Sequence, residues 1–248
     1  MTYNKMAGGM QALRTVLSIS RRQGAREIAA RPQFALFSSV AVPKRSAEEW
    51  MENIKELAKK DVPIKRTKLT SFLHMVTTSE QLEASKELMK IYEQKRVDPD
   101  TCAAGVFVKK ALELNAPNVV LDVLEANYRI GLFLEPTTLN KLLSKLLWDG
   151  ELDKVFRLHE IGKSKYQVKS TERTYDILIR AAIAQADFAK AINLAKEAAQ
   201  AQMLQRVTCN NLLHKLKKNE MHDKIKEVVA LMETAGVKPN ETTKLALE

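Results

Sequence analysis

No run in these 248 residues is apolar for the roughly 20 residues that a membrane-crossing helix needs. Only two cysteines occur, Cys102 and Cys209, too few for a disulfide framework and in keeping with reduced thiols in an intracellular compartment. The eight glycines form no GxGxxG, no Walker-type GKS/T and no GxSxG. Gly8–Gly9 lies in the basic N-terminal segment and is no phosphate loop. The four histidines, His74, His159, His214 and His222, share no metal-ligand spacing with either cysteine. His214 and His222 with Cys209 make only a loose cluster. The chain therefore reads as a non-enzyme, with no catalytic residue, metal, cofactor or small-molecule substrate expected.

What the sequence has is period. Residues 206–240, RVTCNNLLHKLKKNEMHDKIKEVVALMETAGVKPN, read as two short helices closed by a stop. Leu212, Leu213 and Leu216 share one face of the first. Ile225, Val228, Val229 and Met232 share one face of the second, at the i, i+3, i+4, i+7 spacing. Gly236 takes a left-handed cap and Pro239 cannot continue the helix. Windows of 35 residues opening at Arg66, Thr101, Pro136 and Thr171 repeat this design. The apolar pairs Phe72–Leu73, Phe107–Val108, Leu142–Leu143, Ile177–Leu178 and Leu212–Leu213 fall at one window position. Val76, Ala111, Leu146, Ala181 and Leu216 follow a turn later. The fourth window is displaced by about one residue, as by an insertion near Ser170–Thr171. Pro63, Pro99, Pro136 and Pro239 keep to window junctions, and Pro117 opens a second helix. Fixed self-similarity of this length predicts a repeat stack rather than a globular core.

The 35-residue period, the TCNNLL opening and the AGVKPN close of the last window resemble the pentatricopeptide-repeat family. RVDPD at 96–100 and TYDILI at 174–179 are similar landmarks. The 34-residue tetratricopeptide repeat fits less well, since its Trp, Gly and Tyr landmarks are missing from the first helices. The resemblance covers about residues 66–240. It implies an all-α, right-handed superhelix of about five helix-turn-helix repeats: 66–100, 101–135, 136–170, 171–205 and 206–240. Residues 44–65 read as an N-terminal capping half-repeat. There Ser46 caps, Glu48 and Glu49 suit the helix start, and Trp50, Ile54 and Leu57 are to pack on Phe72 and Leu73. Residues 241–248 read as a truncated further first helix.

Residues 1–43 differ from the rest. They carry Lys5, Arg14, Arg21, Arg22, Arg26 and Arg31 against one acid, Glu27. Arg-rich, Ser-containing and acid-poor is the profile of an organellar targeting peptide, mitochondrial (matrix) in preference to plastid; the alternative is a basic arm that binds nucleic acid. Of the chain's net charge of +10, this segment supplies half. The remainder is mildly basic, compatible with RNA without requiring it.

The family reads RNA one base per repeat, chiefly through the fifth and last window positions. The resemblance assigns these here to Thr70/Asp100, Gly105/Glu135, Asn140/Ser170, Tyr175/Gln205 (Asp176/Gln205 in the displaced frame) and Asn210/Asn240. The first pair resembles a guanine-preferring combination and the last a pyrimidine-preferring one; the middle three match none. Base-facing candidates are thus Thr70, Asp100, Asn140, Tyr175, Asn210 and Asn240, with exposed helix-start polarity as the alternative role. Aromatics make up 6% of the chain, and Tyr175 is the only good stacking candidate among them. Lys110, Lys145, Arg180 and Lys215 share the tenth window position, interrupted by Met75. They form a flanking basic column about 140° around the helix from the base-facing position, suited to phosphates or to solubility. Two functional classes follow. One is an RNA-associated organellar protein, most plausibly a mitochondrial ribosome subunit or an RNA-processing or translation factor acting on rRNA or a mitochondrial transcript. The other is a structural adaptor joining subunits of a large mitochondrial assembly without RNA contact.

Overall fold

The computed structural model describes residues 45–60 and 62–247, and among them every regular element is helical. The segment read as a targeting peptide, 1–43, lies outside the described residues. The helices are α1 (Ala47–Lys59), α2 (Thr67–Met75), α3 (Ser79–Gln94), α4 (Thr101–Glu113), α5 (Pro117–Glu125), α6 (Pro136–Trp148), α7 (Leu152–Ser164), α8 (Glu172–Ala184), α9 (Phe188–Gln200), α10 (Arg206–Lys218), α11 (His222–Thr234) and α12 (Glu241–Leu247).

Local chemistry sets their ends. Ser46 accepts from the Glu49 N–H at 3.2 Å while Glu49 accepts from the Ser46 N–H at 3.0 Å, a reciprocal capping box. Thr78 with Gln81 and Thr171 with Thr174 do the same for α3 and α8. Pro117 and Pro136 occupy first-turn positions of α5 and α6, where a missing N–H costs little. Each helix from α3 to α11 is followed by one residue of positive φ, from Arg96 (52°) to Gly236 (68°). That left-handed residue lets the next N–H reach back to an orphan carbonyl, as Val97 does to Tyr92 at 3.0 Å and Met203 to Ala198 at 2.8 Å. Of these nine stops only Gly150 and Gly236 are glycine, which is why most helix ends lack a glycine signal in the sequence.

The helices pack in two rows. In the first, α2 packs on α4, α4 on α6, α6 on α8, α8 on α10 and α10 on α12. Helices α1, α3, α5 and α7 follow one another in the second, where α9 also packs on α11. First-row helices start 34, 35, 36, 34 and 35 residues apart, so the arrangement has the regularity of a helical repeat. Those from α2 to α10 keep the apolar pair and the residue a turn later inside, with Phe72, Leu73, Phe107, Val108, Leu142, Leu143, Leu212 and Leu213 all buried. In the leading segment, Ile54 is buried, and Trp50 and Leu57 pack against the cluster that holds Phe72 and Leu73. Arg45 and Lys68 also approach the Trp50 ring, at 5.2 and 5.4 Å from its centroid.

The one-residue displacement is real and has a consequence in the core. Thr171 is the N-cap of α8, so this helix starts a residue late. Ile177, Leu178 and Ala181 join the core cluster on one side of α8, whereas Ile179 and Ala182 join the cluster that continues through α9 to α11. Sequence period also misses the 3₁₀ turn at Arg129–Phe133, between α5 and α6. It buries Ile130 and seats Gly131 beneath the Tyr166 ring.

Candidate functional site

In α6, α8 and α10 the fifth residue faces the start of the next first-row helix. Asn140 donates from Nδ2 to Thr171 Oγ1 at 2.9 Å and accepts at Oδ1 from Thr174 Oγ1 at 2.7 Å. Thr171 and Thr174 are the N-cap and third residue of α8, and Asn140 is only 7% exposed. Asn210 repeats the motif one step further on. Its Nδ2 donates to Asn240 Oδ1 at 3.2 Å, and its Oδ1 accepts from Thr243 Oγ1 at 2.7 Å. Asn240 Oδ1 in turn accepts the Thr243 N–H at 3.0 Å and so caps α12. Between them, Asp176 Oδ1 accepts from Thr208 Oγ1 at 3.0 Å. These amides and carboxylate stitch successive helices together, and those bonds occupy much of the polar edge that a base would need.

The remaining base-facing candidates are placed as follows. Asp100 caps α4 by accepting the Ala103 N–H at 2.7 Å, and the Thr70 hydroxyl is buried without a partner. Gly105 has no side chain to offer. Tyr175 is half-buried one residue before Asp176, and the late start of α8 makes Asp176 the counterpart of Asn140 and Asn210. Ser170 leaves its assigned place to Thr171 and instead meets His159 Nε2 at 3.0 Å. Burial, with Lys163 nearby, holds the His159 pKa below its ordinary value.

Asn210→Ala is expected to lower stability by about 0.5–2 kcal/mol, the scale of a lost cap, because Asn240 loses its partner at the start of α12. Any affinity for RNA is to change equally for all sequences or for none. Chemical denaturation checks the first outcome and nucleotide competition the second. A single-base preference that vanished with Asn210 would instead identify it as a reader.

The basic column divides. Lys110, Lys145 and Lys215 are the tenth residues of their helices, but Arg180 is the ninth of α8, where Ala181 takes the tenth place. Lys110 lies 3.6 Å from Glu113 and Lys145 2.6 Å from Asp149, each turned to a carboxylate of its own helix end. Arg180, 3.8 Å from Asp176 of its own helix, and Lys215 border a groove. It consists of three open recesses along α6, α8 and α10, of about 1050, 390 and 580 Å³, each sharing residues with the next. Ser144 and Arg173 belong to the first two, Arg180 and Ala184 to the last two. Four cations line the groove, Lys141, Arg173, Arg180 and Lys215, against one lining carboxylate, Glu172. Asp176, buried behind Arg173 and Arg180, offsets part of that charge and leaves the groove a modest positive excess.

Lys141, Arg173 and Trp148 escaped the sequence reading. The recurring window positions single out none of the three, since the recesses they line are formed between α6 and α8. The one legible signal was that Trp148 falls outside the recurring apolar positions. Among the described residues no three of His, Cys, Asp and Glu come together to hold a metal ion. Cys209 is buried, which pushes its thiol up to about 11, while His214 and His222 are exposed. No described helix is long and apolar enough to cross a membrane. Compared with family models and with curated proteins, the sequence matches no family model and no curated protein.

Proposed function

We propose that this chain is a short pentatricopeptide-type repeat protein, five 35-residue units over residues 66–240 wound as a right-handed superhelix. It acts without catalysis, as an RNA-associated component of the mitochondrial matrix. Its RNA, rRNA or a mitochondrial transcript, lies along the first row of helices, and its protein partners are subunits of the same ribosomal or RNA-processing assembly. The observation that carries this reading is the groove along α6, α8 and α10, with four cations on its walls against Glu172 and the buried Asp176. Phosphates are the ligand class that such a wall attracts irrespective of base sequence. The engaged amides of Asn140 and Asn210 support backbone recognition over base reading.

The test compares two sets of neutral variants of the full chain. Lys141→Ala, Arg180→Ala and Lys215→Ala together are expected to weaken single-stranded RNA binding across sequences. The slope of log affinity on log salt is to shrink by about 0.7 for each phosphate that the variant no longer neutralises. Lys110→Ala with Lys145→Ala is expected to change the slope little, since neither lysine lines the recesses of the groove. An unchanged slope in the first set would make the groove a solvated face and leave the adaptor role as the better reading.

A further inference from the structure

Resting on the RNA reading above, we propose that Trp148, Arg173 and Arg180 form a nucleotide clamp, in which one unpaired base stacks on the indole while its phosphate lies against the two guanidinium groups. Trp148 is 88% exposed at the C-terminal end of α6, although tryptophan ordinarily buries most of its ring. It does not stand alone on the surface. With Leu147, Ser144 and Ala184 it lines the middle recess, whose remaining walls are Arg173 and Arg180. The small side chains at 144 and 184 leave room for a flat ring beside the indole.

The arginines are held for the task. Asp176, buried between them, lies 2.9 Å from Arg173 Nη1 and 3.8 Å from Arg180 Nη1 through the same oxygen. Its other oxygen is taken by Thr208. Each guanidinium has five N–H donors, so the shared carboxylate positions both groups and leaves most donors to the recess. Roughly half of each arginine side chain is exposed, at 58% and 48%. A guanidinium pair matches phosphate oxygens in fork geometry, and an indole face accepts any base. The two neighbouring recesses extend the same wall with Lys141 on one side and Lys215 on the other, so a strand could continue in both directions. The cations favour a polyanion and the exposed indole a planar group, which together fit single-stranded RNA better than an apolar or basic protein segment.

The chain holds only two tryptophans, so Trp50→Phe leaves Trp148 as the sole indole emitter. Titrating that variant of the full chain with a 12-nucleotide single-stranded RNA is expected to quench its emission to saturation. Trp148→Ala is expected to weaken RNA binding by between about fivefold and a hundredfold, the range of one missing base stack. Trp148→Phe should restore much of it, and an abasic oligonucleotide should bind wild type and Trp148→Ala alike. Melting is to stay unchanged, because the side chain is in water. RNA binding with no quenching, or equal RNA affinity in Trp148→Ala, overturns the clamp and leaves RNA association standing. Loss of a copurifying protein subunit from Trp148→Ala, with RNA affinity kept, overturns it in favour of a protein anchor. No RNA binding by the wild-type chain overturns both readings together.

Discussion

Leu143→Ala is expected to lower the free energy of unfolding by about 2–5 kcal/mol, the cost of removing a buried leucine side chain and leaving the space behind. Leu143 is fully buried in α6, with Leu139, Leu142 and Leu146 around it on the same helix. Helix α6 packs against α4 and α8 in its own row, and against α5 and α7 in the other, so a loosened α6 has neighbours on both sides to collapse only in part. In a stack of this kind each unit leans on its immediate neighbours, and a weak middle unit uncouples the two ends. Urea denaturation followed by helical circular dichroism measures the first effect. Native-state hydrogen exchange measures the second, as protection lost in α6 and α8 before α2. A change below about 0.5 kcal/mol, the ordinary scale of a surface substitution, would place Leu143 in the wrong environment.

Gly131→Ala is expected to cost about 1–3 kcal/mol by overpacking. A methyl group at this position would fall inside contact distance of three carbons of the Tyr166 ring. The ring has little freedom to withdraw. It is buried, and its hydroxyl donates to the Leu124 carbonyl at 2.8 Å, which ties α5 to the segment after α7. Burial, with Glu93 nearby, pushes this phenol up to about 12, so it remains a neutral donor through the physiological range. The double variant Gly131→Ala with Tyr166→Leu should cost less than the two single changes added together, since the clash disappears with the ring. Thermal melts of the four proteins in that cycle supply the coupling. Additive costs would mean that the 3₁₀ turn moves away from Tyr166 without penalty.

Much of the architecture was already present in the linear pattern. Apolar spacing identifies which face of each helix turns inward, because a helical face recurs every three to four residues whatever lies beyond it. Caps and prolines mark ends for equally local reasons, as Ser46, Thr78 and Pro117 do here. Even the slip near Ser170–Thr171 could be read from the displaced window. The 3₁₀ turn at Arg129–Phe133 could not, since it depends on Tyr166 arriving from 35 residues downstream to cover Gly131.

Side-chain commitments were decided by the tertiary structure. Asn140 and Asn210 offer the same amide in sequence whether they meet RNA or a threonine, and the neighbouring helix start determines that each bonds to a threonine. Asp176 became the positioning group for Arg173 and Arg180 because the late start of α8 rotates it into the place where Asn140 stands in α6. Lys145 and Arg180, equivalent in a 35-residue window, parted by one residue, about 100° of helix, so that Lys145 pairs with Asp149 at its helix end while Arg180 shares Asp176 with Arg173 and borders the groove. Trp148 stays exposed at the end of α6, where the next helix in the row brings Arg173, Arg180 and the small Ala184 to the recess beside it and no large apolar side chain. Burial of a face is a property of period and can be read along one chain segment. The partner of a polar group is a property of two segments at once, and only packing brings the second one into place.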